Sequence, residues 1–180
     1  MVVLFLANGF EEIEALTPVD VLRRGGVKVM TVGVGGRMIQ GSHGIPVTAD
    51  ISDVDLVDFS EVEGVILPGG MPGTLNLEKC ETVQRAIRYA AEKDLVIGAI
   101  CAAPSVLGHA GLLQGKEAVC FPSFETELLG AVLSEKAVCC DGKTVTAKGM
   151  GISLEFALTL LRMFRGSETA EKVRTSLQCR

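Results

Sequence analysis

The stretch 95-LVIGAICAAP-104 contains the pattern that decides the fold. Residues Leu95–Ile100 are small or aliphatic, which predicts a short buried strand. Pro104 favours the first turn of a helix, so the sequence predicts a helix over Pro104–Leu113 directly after that strand. Cys101 therefore falls in the turn where a strand passes into a helix.

Aliphatic runs and helical stretches alternate in this way along the whole chain. Further strands are predicted at Val2–Ala7, Val27–Val34 and Val62–Leu67, and further helices at Glu11–Arg24, Glu81–Glu92, Ser153–Phe164 and Glu168–Leu177. Turn residues predict hairpins over Met38–Asp50 and around Asp141-Gly142, the latter joining Ala137–Cys140 to Thr144–Ala147. Such alternation predicts an α/β fold, a mostly parallel sheet with helices on both faces, in one domain over residues 1–180.

Composition and charge exclude several function classes. The chain has 180 residues, is 48% hydrophobic and 22% charged, and carries a formal net charge of −5 with acids and bases interspersed. Because no run of Lys or Arg forms a basic stripe, nucleic acid is not an expected partner. No apolar run reaches the roughly 20 residues of a membrane helix, and no signal peptide is recognised at the start. We therefore expect a cytoplasmic protein with no membrane contact.

Six cysteines raise the question of disulfides or bound metal. A chain of this length needs no covalent staples, and no secretion signal points to an oxidising compartment. No Cys-x-x-Cys pair occurs, and both histidines lie far from any cysteine pattern. The sequence predicts no disulfide framework, no metal and no cofactor.

Cys101 has the features of a nucleophile held at a tight turn. Ala99 and Ala103 lie two residues to either side, and a sharp strand-to-helix turn needs small neighbours there. The start of the following helix would stabilise a thiolate and lower the pKa of the thiol. A buried cysteine that merely ends a strand fits the same spacing, so spacing alone does not decide.

Two other strand ends have unusual residues. Pro68-Gly69-Gly70 follows a predicted strand, where two glycines either form a tight turn or present N–H groups to a ligand. Glu14 lies in the first turn of a predicted helix, where a solvated acid complementing the helix dipole is the simpler interpretation. Lys148–Gly151 is a loop that precedes a helix and borders a possible pocket.

Taken together, these segments resemble the ThiJ/PfpI superfamily, most closely the branch of the parkinsonism-associated protein deglycase and its bacterial relatives. The resemblance rests on five segments that keep the family's order across nearly the whole chain: Gly9–Glu14, Pro18–Gly26, Leu67–Gly70, Ala99–Pro104, and Gly149–Gly151 with Leu154–Ala157. It implies a flavodoxin-like α/β sandwich and a homodimer.

The resemblance also implies roles for individual residues. Cys101 would be the nucleophile and Glu14 the acid hydrogen-bonded to its sulfur. The N–H groups of Gly70 and Ala102 would form an anion pocket. Further residues would line that pocket: Gly69, Phe121, Met150 and His43.

Four positions depart from the patterns of relatives. Ala102 stands where the protease-like branch places a histidine, and Phe121 stands before Pro122 where some relatives carry a pocket histidine. Met150 replaces a frequent proline. His43 stands where some relatives carry an arginine that reaches the partner subunit's pocket, so we expect it at a dimer interface.

These residues imply an enzyme that acts on small reactive carbonyls such as methylglyoxal, or on glycated amino groups. Cys101 would attack as a thiolate and Glu14 would move protons. The alternative is a redox-sensing or chaperone-like stress protein in which Cys101 is oxidised. A cysteine protease or amidase is disfavoured, because Ala102 leaves no histidine base beside the nucleophile.

Overall fold

Five strands whose residues are almost all buried form the centre of the computed structural model, which describes residues 1–179. In chain order the strands are β1 (Val2–Leu6), β2 (Val29–Gly33), β3 (Met38–Gln40), β4 (Pro46–Thr48), β5 (Ile51–Ser52), β6 (Gly64–Leu67), β7 (Val96–Ile100), β8 (Glu117–Ala118), β9 (Val132–Leu133), β10 (Val138–Asp141) and β11 (Thr144–Ala147). The helices are α1 (Glu12–Arg24), α2 (Gly73–Lys79), α3 (Glu81–Glu92), α4 (Pro104–His109) and α5 (Ser153–Ser176).

Seven strands form the main sheet in the order β10-β11-β7-β6-β1-β2-β5. Every pairing is parallel except the hairpin between β10 and β11. The register sets Leu67 of β6 beside Ala99 of β7, and Ile100 beside Ala147 of β11. The loops that follow these strands therefore meet at one edge of the sheet, where parallel α/β folds place their sites.

Both faces of the sheet are covered, as the sequence predicts. Val2, Leu4 and Leu6 of β1 pack on one face in a core that includes residues of α1 and α5. Val3 and Phe5 point to the opposite face and pack in a core that includes α3 and α4. Each fully buried aliphatic side chain contributes about 1.5–3 kcal/mol, so the two cores hold the sheet rigid beneath its loops. The fold is a flavodoxin-like α/β sandwich.

Several local predictions need correction. The sequence did not predict α2, whose Gly73, Thr74 and Asn76 are weak helix formers; the helix is held instead by the buried Leu77. The predicted helix over Pro104–Leu113 ends at His109, before the left-handed turn at Gly111, whose φ is 74°. The short strands β5, β8 and β9 were also not predicted, because two residues carry no measurable periodicity.

Other local predictions are confirmed. The hairpins β3–β4 and β10–β11 form in antiparallel register. Two separate helices were predicted at the end of the chain, and α5 is indeed interrupted at Gly166, whose φ is 82° and ψ is 167°. Within residues 1–179, no helix is both long and apolar enough to cross a lipid bilayer.

Candidate active site

Cys101 occupies a left-handed turn between β7 and α4. Its φ is 65°, a conformation that costs a residue other than glycine about 1–3 kcal/mol unless its surroundings enforce it. Two backbone hydrogen bonds enforce it here. The Cys101 N–H donates to the carbonyl of Ala147 at 2.9 Å, and the Phe121 N–H donates to the carbonyl of Cys101 at 2.8 Å. The predicted tight turn is confirmed, and it leaves the Cys101 side chain only slightly exposed.

Glu14 reaches the same point from the first turn of α1 and is completely buried. Its Oε2 accepts a hydrogen bond from the N–H of Gly69 at 3.0 Å. Its Oε1 is buried and has no nitrogen or oxygen partner among the described residues, and the Cys101 thiol is the neighbouring group that interacts with the carboxyl. The solvated helix start that simple spacing favoured is therefore wrong for Glu14.

Burial raises the pKa of Glu14 to about 7, outweighing the interactions with Cys101 and Gly69 that lower it. The negative charge of Glu11 raises the pKa of Glu14 further. A proton therefore resides on this carboxyl in a substantial fraction of molecules at neutral pH. A carboxyl that both gives and takes a proton near pH 7 suits acid–base chemistry.

The pKa of the Cys101 thiol is raised to about 12, first by burial and then by the charge of Glu14 and the hydrogen bond between the two side chains. The N–H groups of Gly70 and Ala102 act in the opposite direction and lower the pKa of Cys101. The expectation that the following helix lowers the pKa of Cys101 overall is therefore wrong, because burial and the charge of Glu14 outweigh the two N–H groups. Protonating Glu14 removes the charge repulsion and leaves two N–H donors facing the sulfur.

Glycines make this close approach possible. A Cβ on Gly69 would lie 2.6 Å from the Cβ of Cys101 and 2.7 Å from Oε2 of Glu14, which no side chain tolerates. A Cβ on Gly149 would lie 3.1 Å from Cδ2 of Phe121 and 3.8 Å from Oε1 of Glu14. Gly149 thus separates the aromatic ring from the acid, and both residues border the same space.

Three apolar side chains on the loops that lead to or from the site are partly exposed. Phe121 is 38% exposed and Met150 is 40% exposed, and Met71 follows Gly70 with 46% exposure. The charge that acts on Glu14 is that of Glu11 and the charge that acts on Cys101 is that of Glu14, and no Lys, Arg or His is among the groups that shift either pKa. We expect Cys101, Glu14, Gly70, Phe121 and Met150 to border one space, which we call the Cys101 pocket.

Neither histidine reaches Cys101 in its own chain. The His43 side chain is largely exposed, and its Nδ1 lies 2.9 Å from Oε2 of Glu12. His109 lies on the surface, in the helix after Cys101, and pairs with Glu78 and Glu127. Whether His43 contributes to a partner subunit's pocket stays a prediction.

Sequence reasoning missed one cluster of polar groups. Ligand atoms of Glu11, Glu12 and His43 all lie within 4.8 Å of one another. The residues are far apart in sequence and match no metal-binding spacing, so only the packing of the β3–β4 hairpin against α1 reveals the group. A parallel bridge between Phe10 and Gly41 brings the start of α1 next to the β3–β4 hairpin, and no sequence pattern signals that bridge.

The comparison with known proteins agrees with the geometry. The model of the DJ-1/PfpI family matches residues 1–163. The chain belongs to this family. The resemblance to the ThiJ/PfpI superfamily, and to its DJ-1 branch, is thereby confirmed.

Relatives within the DJ-1 branch cover nearly all of the chain. Protein DJ-1 homolog B of Arabidopsis thaliana is 37% identical over 93% of this chain, which spans only 39% of that relative's length. Parkinson disease protein 7 homolog of Danio rerio is 34% identical, with 96% of this chain and 93% of the relative covered. The structure of oxidised Toxoplasma gondii DJ-1 superposes with a TM-score of 0.94 at 32% identity, covering 98% of this chain and 97% of that one.

Proposed function

We propose that this DJ-1/PfpI family member is an enzyme that converts small reactive carbonyls such as methylglyoxal, using Cys101 as nucleophile and Glu14 as acid and base. One observation carries the proposal: a buried carboxyl interacts with the Cys101 sulfur while the N–H groups of Gly70 and Ala102 face it. A relative from Caenorhabditis elegans, 29% identical over 88% of this chain and 84% of its own length, is called glutathione-independent glyoxalase DJR-1.2.

The first step is addition of sulfur to the aldehyde. The Cys101 proton passes to the Glu14 carboxylate, and the thiolate bonds to the aldehyde carbon. The carbonyl π electrons move to oxygen, where the N–H groups of Gly70 and Ala102 stabilise the oxyanion. That oxygen then takes a proton from Glu14, giving a hemithioacetal and returning Glu14 to its carboxylate form.

The next steps move two protons and add water. The Glu14 carboxylate removes the proton from the hemithioacetal carbon, giving an enediolate with its negative charge on the neighbouring oxygen. That oxygen takes the hydroxyl proton of the former aldehyde carbon, and Glu14 returns its own proton to the neighbouring carbon, which gives a lactoyl thioester on Cys101. Water then breaks the carbon–sulfur bond and releases lactate and the free thiol. The sum is methylglyoxal plus water giving lactic acid, with no external oxidant or reductant.

The residues expected around the Cys101 pocket support small neutral carbonyls as the substrate class. Phe121 and Met150 offer apolar contact, and the groups acting on Cys101 and Glu14 include no cation to hold a carboxylate or phosphate. Removal of glycation from amino groups shares the first addition step, so a deglycase reaction is an extension of the same proposal.

Redox sensing is the second candidate, favoured by the buried acid beside Cys101. Peroxide would oxidise the sulfur to a sulfenic acid with release of water, and a second peroxide would give the sulfinic acid. A protonated Glu14 would donate a hydrogen bond to the sulfinate oxygen. The same DJ-1 fold has been solved in an oxidised form from Toxoplasma gondii. A chaperone-like role has no structural observation of its own and stays a prediction.

Peptide or amide hydrolysis is not supported. No histidine interacts with Cys101 among the described residues, and Ala102 occupies the following position. Peptide cleavage needs a group that protonates the leaving amine, and Glu14 already interacts with the sulfur. We expect casein to remain uncleaved.

Other parts of the proposal concern assembly and location. We infer a homodimer, one domain over residues 1–180, and a cytoplasmic location. DJ-1 family proteins are usually dimers, and α1 and the β3–β4 hairpin both leave apolar side chains exposed, among them Ile13, Leu16 and Ile45.

The decisive test incubates the protein with methylglyoxal and follows lactate by chiral chromatography. Wild type and Cys140→Ser should form lactate at equal rates, because Cys140 is exposed on β10 and plays no part in the mechanism. Cys101→Ser should form none above the uncatalysed rate. If wild type makes no lactate while mild peroxide adds two oxygens to Cys101, redox sensing replaces the enzyme as the preferred function.

A further inference from the structure

Two buried side-chain oxygens have no nitrogen or oxygen partner in the part of the chain that the structure describes. They are Oε1 of Glu14 and the hydroxyl oxygen Oγ of Ser153. Glu14 is completely buried and Ser153 is 2% exposed. Buried polar atoms are nearly always paired in folded proteins, because an unpaired one loses its hydration without compensation. Each of these two atoms therefore indicates a bound polar partner.

Both residues lie at the same end of the contact between α1 and α5. These helices follow β1 and β11, two strands that run the same way in the sheet, so both helices begin at the edge where Cys101 lies. Glu14 is in the first turn of α1, and Ser153 is the first residue of α5. The turn that leads into Ser153 starts at Gly149, where a Cβ would lie 3.8 Å from Oε1 of Glu14.

The same stripes of the two helices continue to their other ends. On α1, Glu14 and Pro18 are four residues apart, and Gly25 follows after two further turns on the same face. On α5, Ser153 precedes the buried Phe156 and Leu161 at helical spacing. A Cβ on Gly25 would lie 2.2 Å from Cδ1 of Leu161, so these two stripes are the faces that pack against each other.

A third unpaired group comes from the backbone of α1. Pro18 is buried within this helix and has no N–H. The backbone carbonyl of Glu14, four residues earlier, therefore lacks the donor that an α-helix normally supplies. Two oxygens of Glu14 and the hydroxyl of Ser153 thus need partners at one end of one interface.

We propose that Ser153 is a positioning residue for Glu14, and that one buried water molecule joins the Ser153 hydroxyl to Oε1 and to the backbone carbonyl of Glu14. The water accepts a hydrogen bond from Ser153 and donates one proton to each of the two Glu14 oxygens. Buried waters typically make about three such hydrogen bonds to groups that have no other partner. The water holds the carboxyl in the orientation in which Oε2 accepts from the N–H of Gly69.

The water also affects the charge of Glu14. A hydrogen bond donated to the ionised carboxylate favours that form, so Ser153 opposes the burial that raises the pKa of Glu14. On α5, the acid of the first turn is Glu155, which is exposed. The other groups that act on this carboxyl lie on neighbouring loops and at the start of α1: Cys101, the N–H of Gly69, and Glu11.

Carbon-13 magnetic resonance of protein labelled at the glutamate carboxyl carbons measures the charge of Glu14 without turnover, and Glu14→Gln identifies its signal. In Ser153→Ala, the titration midpoint of Glu14 should lie about 0.4–1 pH unit above that of wild type, because one hydrogen bond to the carboxylate is lost. Ser153→Thr keeps the hydroxyl and should restore the midpoint. Ser176→Ala is the matched control, since it removes an α5 hydroxyl that donates to the carbonyl of Val173 instead.

The pH profile of kcat/KM for methylglyoxal gives a second readout, which rests on the proposed function. There the Glu14 carboxylate must accept the Cys101 proton, so the acid limb of Ser153→Ala should move upward by the same amount. Its rate at pH 6 should be about two- to tenfold below wild type, whereas Ser176→Ala should match wild type.

A high-resolution crystal structure of wild type should show the water within about 3.2 Å of Ser153 Oγ and Glu14 Oε1. Absence of that water, or equal Glu14 midpoints in wild type and Ser153→Ala, would overturn the proposal. A wild type that makes no lactate, but shows both the water and the shifted midpoint in Ser153→Ala, would support the role of Ser153 and overturn only the proposed function.

Discussion

Glu14 and Cys101 interact so closely that the charge of one sets the reactivity of the other. Glu14→Gln keeps the shape of the side chain but cannot take up a proton at neutral pH. Lactate formation should therefore fall by about a hundredfold or more. The variant also removes the negative charge that raises the pKa of Cys101, so the pH midpoint for iodoacetamide labelling of Cys101 should move downward.

Two measurements on Glu14→Gln, lactate release and the rate of Cys101 labelling against pH, distinguish two roles of Glu14. One is proton transfer during catalysis, and the other is a hydrogen bond that holds the Cys101 sulfur. Glu92→Gln is the control, because Glu92 is exposed at the end of α3. Peroxide should still convert Cys101 to a sulfinate in Glu14→Gln. Undiminished lactate release would remove Glu14 from the mechanism, and an upward move of the labelling midpoint would contradict the electrostatic argument.

Phe121 should determine which carbonyls the Cys101 pocket prefers. Its ring lies beside Gly149 and is partly exposed, so it can contact the substituent of a bound aldehyde. In Phe121→His, kcat/KM for phenylglyoxal should fall several-fold relative to methylglyoxal, since a smaller and more polar ring offers less apolar contact. Phe124→His, a substitution nearby in the same loop, serves as the control. An unchanged ratio in Phe121→His would show that this ring does not touch the substrate.

At the scale of elements, the loop after β6 must pass very close to the loop after β7. Gly69→Ala would place a Cβ 2.6 Å from the Cβ of Cys101, and backbone rather than a flexible side chain lies behind it. Such overpacking costs about 1–3 kcal/mol, so we expect Tm to fall by roughly 3–10 °C with loss of lactate formation.

Gly151→Ala is the matched control for Gly69→Ala, because nothing lies within 4 Å of a Cβ at Gly151. Differential scanning calorimetry should give the control a Tm within about a degree or two of wild type, as surface substitutions usually do. Equal melting of Gly69→Ala and Gly151→Ala would mean that the two loops separate more easily than their packing indicates.

His109 connects α4 to α2 through Glu78 and to the following 3-10 turn through Glu127. The hydrogen bond with Glu78, more than the one with Glu127, raises the pKa of His109 above its ordinary value. A raised pKa means that the protonated ring stabilises the folded state. This contribution is complete below about pH 6.5, the pKa of an unfolded histidine, and disappears as pH rises through the higher folded pKa.

Thermal melts of wild type and His109→Gln between pH 6 and pH 9 test this linkage. Wild type should lose more Tm than the variant over that interval, by roughly 1–3 °C because the ring is partly exposed and solvent screens it. Cysteines and the other charged groups titrate alike in both proteins and cancel in the comparison. Parallel curves would mean that the His109 contacts do not persist in solution.

Elements built on aliphatic runs were predictable, and those built on tertiary contacts were not. Apart from the two-residue β5, the strands of the main sheet follow from their aliphatic runs, and the turn at Cys101 follows from its small neighbours and Pro104. Helix α2 does not, because its seven residues contain weak helix formers and depend on Leu77 being buried. The role of Glu14 could be predicted only from the family resemblance, because an acidic residue in the first turn of a helix is ordinary. Only the folded structure shows that Glu14 is buried. The Glu11–Glu12–His43 cluster required a contact between distant segments.

At the scale of the whole molecule, the surface available for dimerisation differs from the stripe that helical spacing suggests. Helical spacing over residues 14–24 indicates an apolar stripe of Leu16, Val19, Val21 and Leu22 for a dimer interface, yet Val19, Val21 and Leu22 pack in the core of their own chain. Ile13 is 52% exposed and Leu16 38% exposed on α1, and Ile45 is 52% exposed on the adjoining hairpin. These three residues are the better candidates for contact with a second subunit.

Ile13→Asp should therefore convert a dimer to a monomer at micromolar concentration, because it places a charge in an apolar contact. Val54→Asp is the control, since Val54 is 75% exposed on a different part of the surface. Sedimentation velocity should report the dimer for wild type and Val54→Asp, and the monomer for Ile13→Asp. A monomeric wild type would refute the dimer and remove any role for His43 in a partner's pocket.

The hydrogen bond from Cys101 to Ala147 also has a consequence for biosynthesis. Strand β7 lies between β6 and β11, and β11 is synthesised well after β7. Until the ribosome has released residues near Ala147, one of the two backbone hydrogen bonds that hold Cys101 in its left-handed turn cannot form. A nascent chain would carry an ordinary, flexible thiol. The completed strand would then assemble the reactive centre in one step, which delays its chemistry until β11 has joined the sheet.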